Sequence, residues 1–113
     1  MDLEIQTQHI DLDPRLRDLV DRAAERLAAR FPELLRVHVT LRHGGHHRHG
    51  AEEVALVGNT EGRTLRADKQ GEVMKDVLHE AFDALASQLD HHHLERRRVT
   101  RRPGPRADES SRA

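Results

Sequence analysis

Residues 11–32, DLDPRLRDLVDRAAERLAARFP, decide the fold because they specify a helix with one apolar side. Asp13 is a favourable N-cap, and Pro14 suits the first helical position, whose N–H lacks a partner within the helix. Pro32 ends the helix, since proline cannot continue it. The apolar residues recur every three or four positions, which predicts one buried stripe: Leu16, Leu19, Val20, Ala23, Leu27 and Phe31.

Alternating segments on both sides of this helix predict two strands. Leu3, Ile5 and Thr7 alternate with polar residues before the helix, and the segment 37–42, VHVTLR, alternates after it. A strand, a helix and a second strand in this order form a parallel pair joined by a right-handed crossover. The helix must therefore cover one face of the sheet.

The rest of the folded chain contains two further strands and a long helix. The third strand covers roughly residues 52–57, where VALV leaves the inward face undecided, and residues 59–62 supply a turn. The fourth strand covers 64–68, and the last helix runs from about residue 72 to 93. Its apolar stripe comprises Met74, Val77, Leu78, Ala81, Phe82, Leu85 and Leu89.

The order β-α-β-β-β-α predicts an α+β fold, a four-stranded mixed sheet with both helices packed on one face. That arrangement buries both apolar stripes in the most compact way. The other sheet face carries Thr, His, Arg and Glu and can stay solvated. The predicted core joins residues of both helices and the second strand: Leu16, Leu27, Val39, Leu78 and Leu85.

Charge divides the chain into two parts. Residues 1–95 carry 12 basic and 18 acidic residues, a formal charge of −6, and form one predicted domain. Residues 96–113 carry 7 arginines and 2 acidic residues, a charge of +5, with almost nothing to bury, which predicts a disordered arginine-rich tail. Since the acidic, alternating N-terminus is no signal peptide and no apolar run has membrane-spanning length, we expect a cytoplasmic protein without a membrane partner.

Catalysis finds little support in the sequence. No glycine-rich phosphate loop, nucleophile elbow or HExxH motif occurs. The carboxylates lie beside arginines on polar helix faces, where charged residues are usually solvated. We therefore expect no enzymatic activity, no small-molecule substrate and no cofactor.

Two histidine clusters raise the question of a metal site. The loop 43–50, HGGHHRHG, contains His43, His46, His47 and His49, and the last helix ends in HHH at 91–93. Three glycines leave the loop ligands unfixed, and consecutive helical histidines point about 100° apart. The loop lies near the start of the last helix, roughly 30 Å from residue 91 at 1.5 Å per residue. The clusters cannot share one ion, and we assign no metal site.

Arginines offer the third possibility, RNA binding. Arg22, Arg26 and Arg30 recur at intervals of four on the polar side of the first helix, and the tail adds more arginines. Such a row can contact phosphates. A solvated face of an acidic domain explains the same residues equally well, so composition alone leaves both interpretations open.

The order and local motifs resemble the bacterial ribosome hibernation-promoting factors and ribosome-associated translation inhibitors, in their short form. The resemblance covers about residues 3–95. It rests on DPRLRDLVDRAAERL in the first helix, RVHVTLR in the second strand, and LRADKQGEVMKDVLHEAFDALASQL in the fourth strand and last helix. No single motif is specific, but their order and spacing agree with the family.

The resemblance implies a double-stranded-RNA-binding-like fold and a partner, the small ribosomal subunit. A protein of this family would occupy the mRNA and tRNA decoding channel and inhibit translation, without cofactor, and we expect a monomer away from the ribosome. The last helix departs from the family pattern because the usual basic positions hold Ala84, Ser87, His91 and His93. The expected rRNA-binding residues are Arg22, Arg26, Arg30, Arg42, His91, His93, Arg96 and Arg97.

Two other functions stay open at this stage. A divergent domain of the same fold could act as a protein-interaction or stress module, which the acidic charge of residues 1–95 would suit. A histidine-rich metal-binding protein is the second alternative. The distribution of charge on the helices separates the first alternative from RNA binding, because RNA requires arginines gathered on one exposed face.

Overall fold

The computed structural model describes the backbone of residues 1–44 and 52–101, with side chains up to His91. Four strands form one sheet in the order β1-β2-β3-β4; β1 pairs parallel with β2, and the other neighbours are antiparallel. This confirms the predicted α+β fold and the β-α-β-β-β-α order. The elements are β1 (Asp2–Gln8), α1 (Pro14–Arg30), β2 (Leu34–His43), β3 (Glu52–Thr60), β4 (Arg63–Gly71) and α2 (Met74–Arg101).

Helix α1 begins and ends where its sequence signals predict. The side chain of Asp13 accepts a hydrogen bond from the backbone N–H of Leu16 at 2.8 Å, which satisfies one otherwise unpaired donor of the first turn. Phe31 is the C-cap, and its N–H donates to the carbonyl of Leu27. The next residue, Pro32, prevents continuation. Local chemistry therefore fixes both ends of α1.

The core lies between the two helices and one face of the sheet. All five predicted core residues are buried, and the two phenylalanines are the only aromatic side chains of the chain. The inward face of β3, undecided from the sequence, carries Val54 and Leu56, while Ala55 and Val57 face away from the helices. The core is thus aliphatic, and its packing places both helices on one side.

Two glycines let helix α2 approach the sheet closely. A Cβ atom at Gly58 would lie 3.3 Å from Leu34 Cδ1 and 3.4 Å from Leu85 Cδ2. At Gly71, which precedes the helix, a Cβ would lie 2.9 Å from Val77 Cγ2, closer than carbon atoms pack. A side chain at Gly71 would therefore force Val77 of α2 to shift, and one at Gly58 would displace the side chains of Leu34 and Leu85 by a few tenths of an ångström.

The elements extend beyond the predicted bounds. Strand β3 continues to Thr60 and β4 to Gly71, because antiparallel pairing runs without interruption from one pair, Thr60 with Arg63, to another, Glu52 with Gly71. The predicted turn at 59–62 is therefore only the two residues 61 and 62, and Gly62 has a φ of 82°. Backbone hydrogen bonding therefore makes the β3–β4 hairpin longer than the alternation of apolar and polar residues predicted.

Helix α2 starts two residues later than predicted and ends at Arg101 instead of His93. It therefore occupies residues 96–101 of the segment predicted to be a disordered tail, and residues 102–113 lie outside the described residues. Leu, Glu and Arg have a high intrinsic helix propensity, and arginines near the C-terminal end complement the helix dipole. No helix in the described part of the chain combines the length and apolar character needed to cross a bilayer.

Replacing Leu85 by Ala should lower the free energy of unfolding by roughly 2–5 kcal/mol, because it opens a cavity where α2 meets β3. Chemical denaturation followed by circular dichroism measures this change. The matched control is Leu35→Ala, since Leu35 is 55% exposed, and it should cost at most about 0.5 kcal/mol. Equal losses in the two variants would contradict this packing.

Candidate nucleic-acid interface

The arginine row of helix α1 lies on the surface, as its spacing predicts. Arg22, Arg26 and Arg30 are all exposed, while Val20 and Leu27 of the same helix are buried against the sheet. The side chains of Arg22 and Arg30 remain 68% and 58% exposed even in the ion pairs that they form. The row is therefore accessible to a large polyanion.

Two of these arginines already have acidic partners. Arg22 Nε lies 3.0 Å from Asp18 Oδ2, one turn earlier on α1. Arg30 contacts Asp90 of helix α2, and its guanidinium lies 4.9 Å from the centre of the Phe31 ring. Exposed pairs of this kind contribute only about 0–1 kcal/mol to stability, so a phosphate can replace the carboxylate at little cost.

Arg26 differs from its neighbours because it makes no ion pair with any described residue. It lies on a groove between α1 and α2 with a volume of about 240 Å³. Asp83 and His79 of α2 border the same groove. Within the described part of the chain, the row thus contains one cation that can bind a partner without breaking an ion pair.

The last helix contributes at the end where α1 stops. Asp90 contacts Arg30, so the exposed His91 follows directly at the C-terminal end of α1. The remaining residues, 91–101, extend α2 by about 16 Å past that contact at 1.5 Å per residue. His93, Arg96 and Arg97 are in this extension, but their side chains lie outside the described residues.

Arg42 is not part of the helical surface. Leu41 is buried on the helix side of the sheet, so the neighbouring Arg42 projects from the opposite face, where its guanidinium lies 3.6 Å from Glu53. The structure therefore brings Arg22, Arg26 and Arg30 together on the helix side and separates Arg42 from them. A contact made by the row cannot include Arg42 on the same surface.

The open face of the sheet has mixed charge. His38 Nδ1 lies 3.1 Å from a Glu4 carboxylate oxygen, and its Nε2 lies 3.3 Å from the side-chain oxygen of Gln6. The contact between His38 and Glu4 follows from the parallel register, which pairs these two residues. The sequence alone does not show that register. Because acidic and basic residues alternate here, the face offers no continuous positive surface for RNA.

The histidine loop is described only at its start. His43 contacts Glu52, the residue it faces in the β2–β3 pairing, and Glu52 is only 16% exposed. His46, His47 and His49 lie outside the described residues. Within the described ranges 1–44 and 52–91, no three histidine or carboxylate side chains form a cluster that could hold a metal ion. The absence of a functional metal site stays a prediction.

Comparison with known proteins gives this fold a family. The family described as Sigma 54 modulation protein / S30EA ribosomal protein matches residues 3–98, most of the chain. The chain belongs to this family. The resemblance seen in the sequence is thereby confirmed, and the match covers both helices and all four strands.

Two solved structures share the family's fold. A ribosomal subunit interface protein from Coxiella burnetii superposes with a TM-score of 0.73 at 19% identity, covering 83% of this chain and 99% of that one. The N-terminal domain of Thermus thermophilus Protein Y gives 0.69 at 17% identity, covering 81% and 99%. At these identities the similarity shows the fold alone. No curated protein sequence matches the chain.

The ion pairs of the row make a testable electrostatic prediction. In a variant with Asp18→Asn and Asp90→Asn, Arg22 and Arg30 lose their partners, so binding to single-stranded poly(U) RNA should strengthen and become more salt-dependent. The slope of log K against log salt should steepen by about one for each arginine that gains a phosphate. Fluorescence anisotropy at several salt concentrations measures both effects.

The control for this variant removes the same charge elsewhere. Asp11→Asn with Asp68→Asn changes two exposed carboxylates that form no ion pair with the row. The control should gain less affinity, because it lowers general repulsion without releasing an arginine. If the two double variants gained equally, the pairs with Asp18 and Asp90 would have no specific effect on the row.

Proposed function

We propose that this protein binds the small ribosomal subunit at the mRNA and tRNA decoding channel and thereby inhibits translation. The observation that carries the proposal is the exposed row Arg22, Arg26 and Arg30 on one helix of a domain that belongs to a ribosome-associated family. The Coxiella burnetii neighbour is described as a ribosomal subunit interface protein, which agrees with such a partner.

The proposed contact is electrostatic. Residues spaced by four on a helix lie one above another, so the row presents its guanidinium groups along a line of about 12 Å, at 1.5 Å per residue. Arginine binds phosphate with several donors in a planar fork, and binding releases the counterions of the RNA. Residues 1–95 carry a net negative charge, which rRNA repels. The electrostatic energy therefore favours the orientation in which the arginines of α1 are turned toward the rRNA.

The proposed inhibition of translation requires no chemical reaction by this protein. A folded domain lodged in the channel excludes mRNA and tRNA by occupying their space, so the proposal includes neither a cofactor nor a catalytic residue. Its site of action is the cytoplasm, where ribosomes work. The backbone of α2 extends beyond its contact at Asp90 with Arg30, and this extension contains four arginines in its sequence, at 96, 97, 98 and 101.

One observation favours the alternative, a protein-interaction module. The exposed part of α2 near its start is acidic, with Asp76, Glu80 and Asp83 all exposed. Such a surface repels RNA phosphates and would suit a basic protein. The two functions predict different effects of reversing the α1 arginines. Binding to RNA should be lost, whereas binding of a protein partner docked on acidic α2 should change little.

We expect the protein to cosediment with small subunits and to inhibit translation in an extract. Changing Arg22, Arg26 and Arg30 to Glu should abolish both activities, because three attractive phosphate contacts become repulsive. The fold should survive, since all three side chains are exposed, and circular dichroism should show a loss of less than about 2 kcal/mol in stability. Sucrose-gradient sedimentation at moderate salt measures binding.

The control reverses three exposed arginines of the sheet, Arg36, Arg63 and Arg66, which gives the same net charge. This variant should keep most of its binding, because these residues lie on strands β2 and β4, whereas the row lies on helix α1. A folded α1 variant that still cosediments normally would refute the proposed docking by helix α1. The protein-interaction function would then replace it.

A further inference from the structure

The groove between α1 and α2 has an apolar floor and polar rims. Small side chains at Ala23 and Ala86 leave a gap where the two helices meet, and Leu27 and Phe82 complete the floor. At about 240 Å³ the space is somewhat smaller than the roughly 300 Å³ at which pockets for drug-sized molecules begin. Its size suits one flat group of the dimensions of a nucleobase.

The rims of this groove carry unpaired groups of opposite charge. Arg26 borders it on α1, and Asp83 borders it on α2, yet neither forms an ion pair with any described residue. His79, which is half-buried, lies one turn before Asp83 on the same rim. Arg30 also borders the groove but is engaged by Asp90. An apolar floor thus lies between one cation and one carboxylate that have no ion-pair partner among the described residues.

We propose that this groove binds a single unstacked RNA nucleotide, with a preference for guanine. Apolar and aromatic side chains receive the face of an extruded base, Arg26 binds its phosphate, and the carboxylate of Asp83 accepts hydrogen bonds from the base edge. A carboxylate only accepts, so it favours the base that presents two adjacent donors, and guanine does so through N1–H and N2–H. This inference deepens the proposed function, on which it rests.

The geometry also says which RNA the groove rejects. A base that remains stacked in a duplex keeps its faces against its neighbours and cannot contact a floor recessed between two helices. The phosphates of a duplex still reach the exposed arginines. Duplex RNA is therefore bound by charge alone, whereas a single-stranded segment is bound by charge and by one inserted base.

The test uses the full-length protein and three fluorescent hexanucleotides: five uridines with one guanosine, the same oligomer with an abasic site at that position, and six uridines. The guanosine oligomer should bind about tenfold more tightly than the abasic one, as expected for one base stacked on a protein surface. Its affinity should also exceed that of hexauridine. Equal binding of all three would overturn the proposal.

Two variants distinguish the contribution of the groove to RNA affinity from that of general electrostatic attraction. Ala86→Phe fills the space without changing charge and should remove the tenfold difference while the abasic oligomer binds as before. Asp83→Asn removes a repulsive charge, so every oligomer should bind more tightly, yet the preference for guanosine should fall. Asp83 is exposed, so this second variant keeps the test decisive if Ala86→Phe does not fold.

The matched control is Arg15→Ala, compared with Arg26→Ala. Arg15 is exposed on the same helix and lies outside the groove, so its loss should weaken all three oligomers by the same factor. Arg26→Ala should weaken the guanosine oligomer more than the abasic one. If the two variants behave alike, Arg26 acts only as a surface charge and the proposal is wrong.

Small subunits distinguish this inference from the function on which it rests. If the unaltered protein does not cosediment with them, the proposed function fails. If it cosediments and Ala86→Phe cosediments with equal affinity, the function stands and the nucleotide site is refuted. The proposal expects Ala86→Phe to bind subunits about tenfold more weakly, in parallel with its loss on the hexanucleotide.

Discussion

The close approach of helix α2 to the sheet is the constraint on which the other features depend. Gly71 leaves no space between the end of β4 and Val77, and Gly58 lets Leu85 lie flat against β3. A helix this close covers β3 and β4, so α1 must cover β1 and β2 on the same face. Gln88 of α2 then donates a hydrogen bond to the backbone carbonyl of Arg66 on the edge strand, which uses one of the acceptors through which edges aggregate.

This packing sorts the arginines of the chain by face. The helix layer turns the row Arg22, Arg26 and Arg30 outward, and the sheet turns Arg42 to the opposite side. Small side chains at Ala23 and Ala86 line the groove between the two helices and leave it open beside Arg26. By burying the apolar stripe of α1, the core places the arginine row on the exposed side of this helix, on a domain whose net charge is negative.

Much of this arrangement follows from periodicity. The apolar stripe of α1, its cap at Asp13 and the exposure of its arginines come from local spacing, which a single helix determines. Contacts that depend on strand register or on the placement of the helices cannot be predicted from periodicity. Arg30 and Asp90 are sixty positions apart, and the groove requires both helices to be in place.

The structure differs from the predictions where helix propensity or backbone hydrogen bonding extends an element beyond its apolar residues. Helix α2 continues to Arg101 because leucine, glutamate and arginine have a high intrinsic helix propensity. Strands β3 and β4 lengthen because hydrogen-bond pairing continues past the apolar residues. The family connection was visible because the order of its motifs survives, even though the solved neighbours are less than 20% identical.

Because the chain contains no cysteine, contact between the α1 face and rRNA can be tested directly. A single cysteine placed at the exposed Ala29, one turn from Arg26, or at the exposed Thr64 of β4 can carry a photo-crosslinker. After binding to small subunits and irradiation, primer extension locates the crosslinked nucleotides. Docking by α1 should give strong rRNA crosslinks from position 29 and few from position 64. Crosslinks mainly from position 64, or only to ribosomal proteins from position 29, would contradict it.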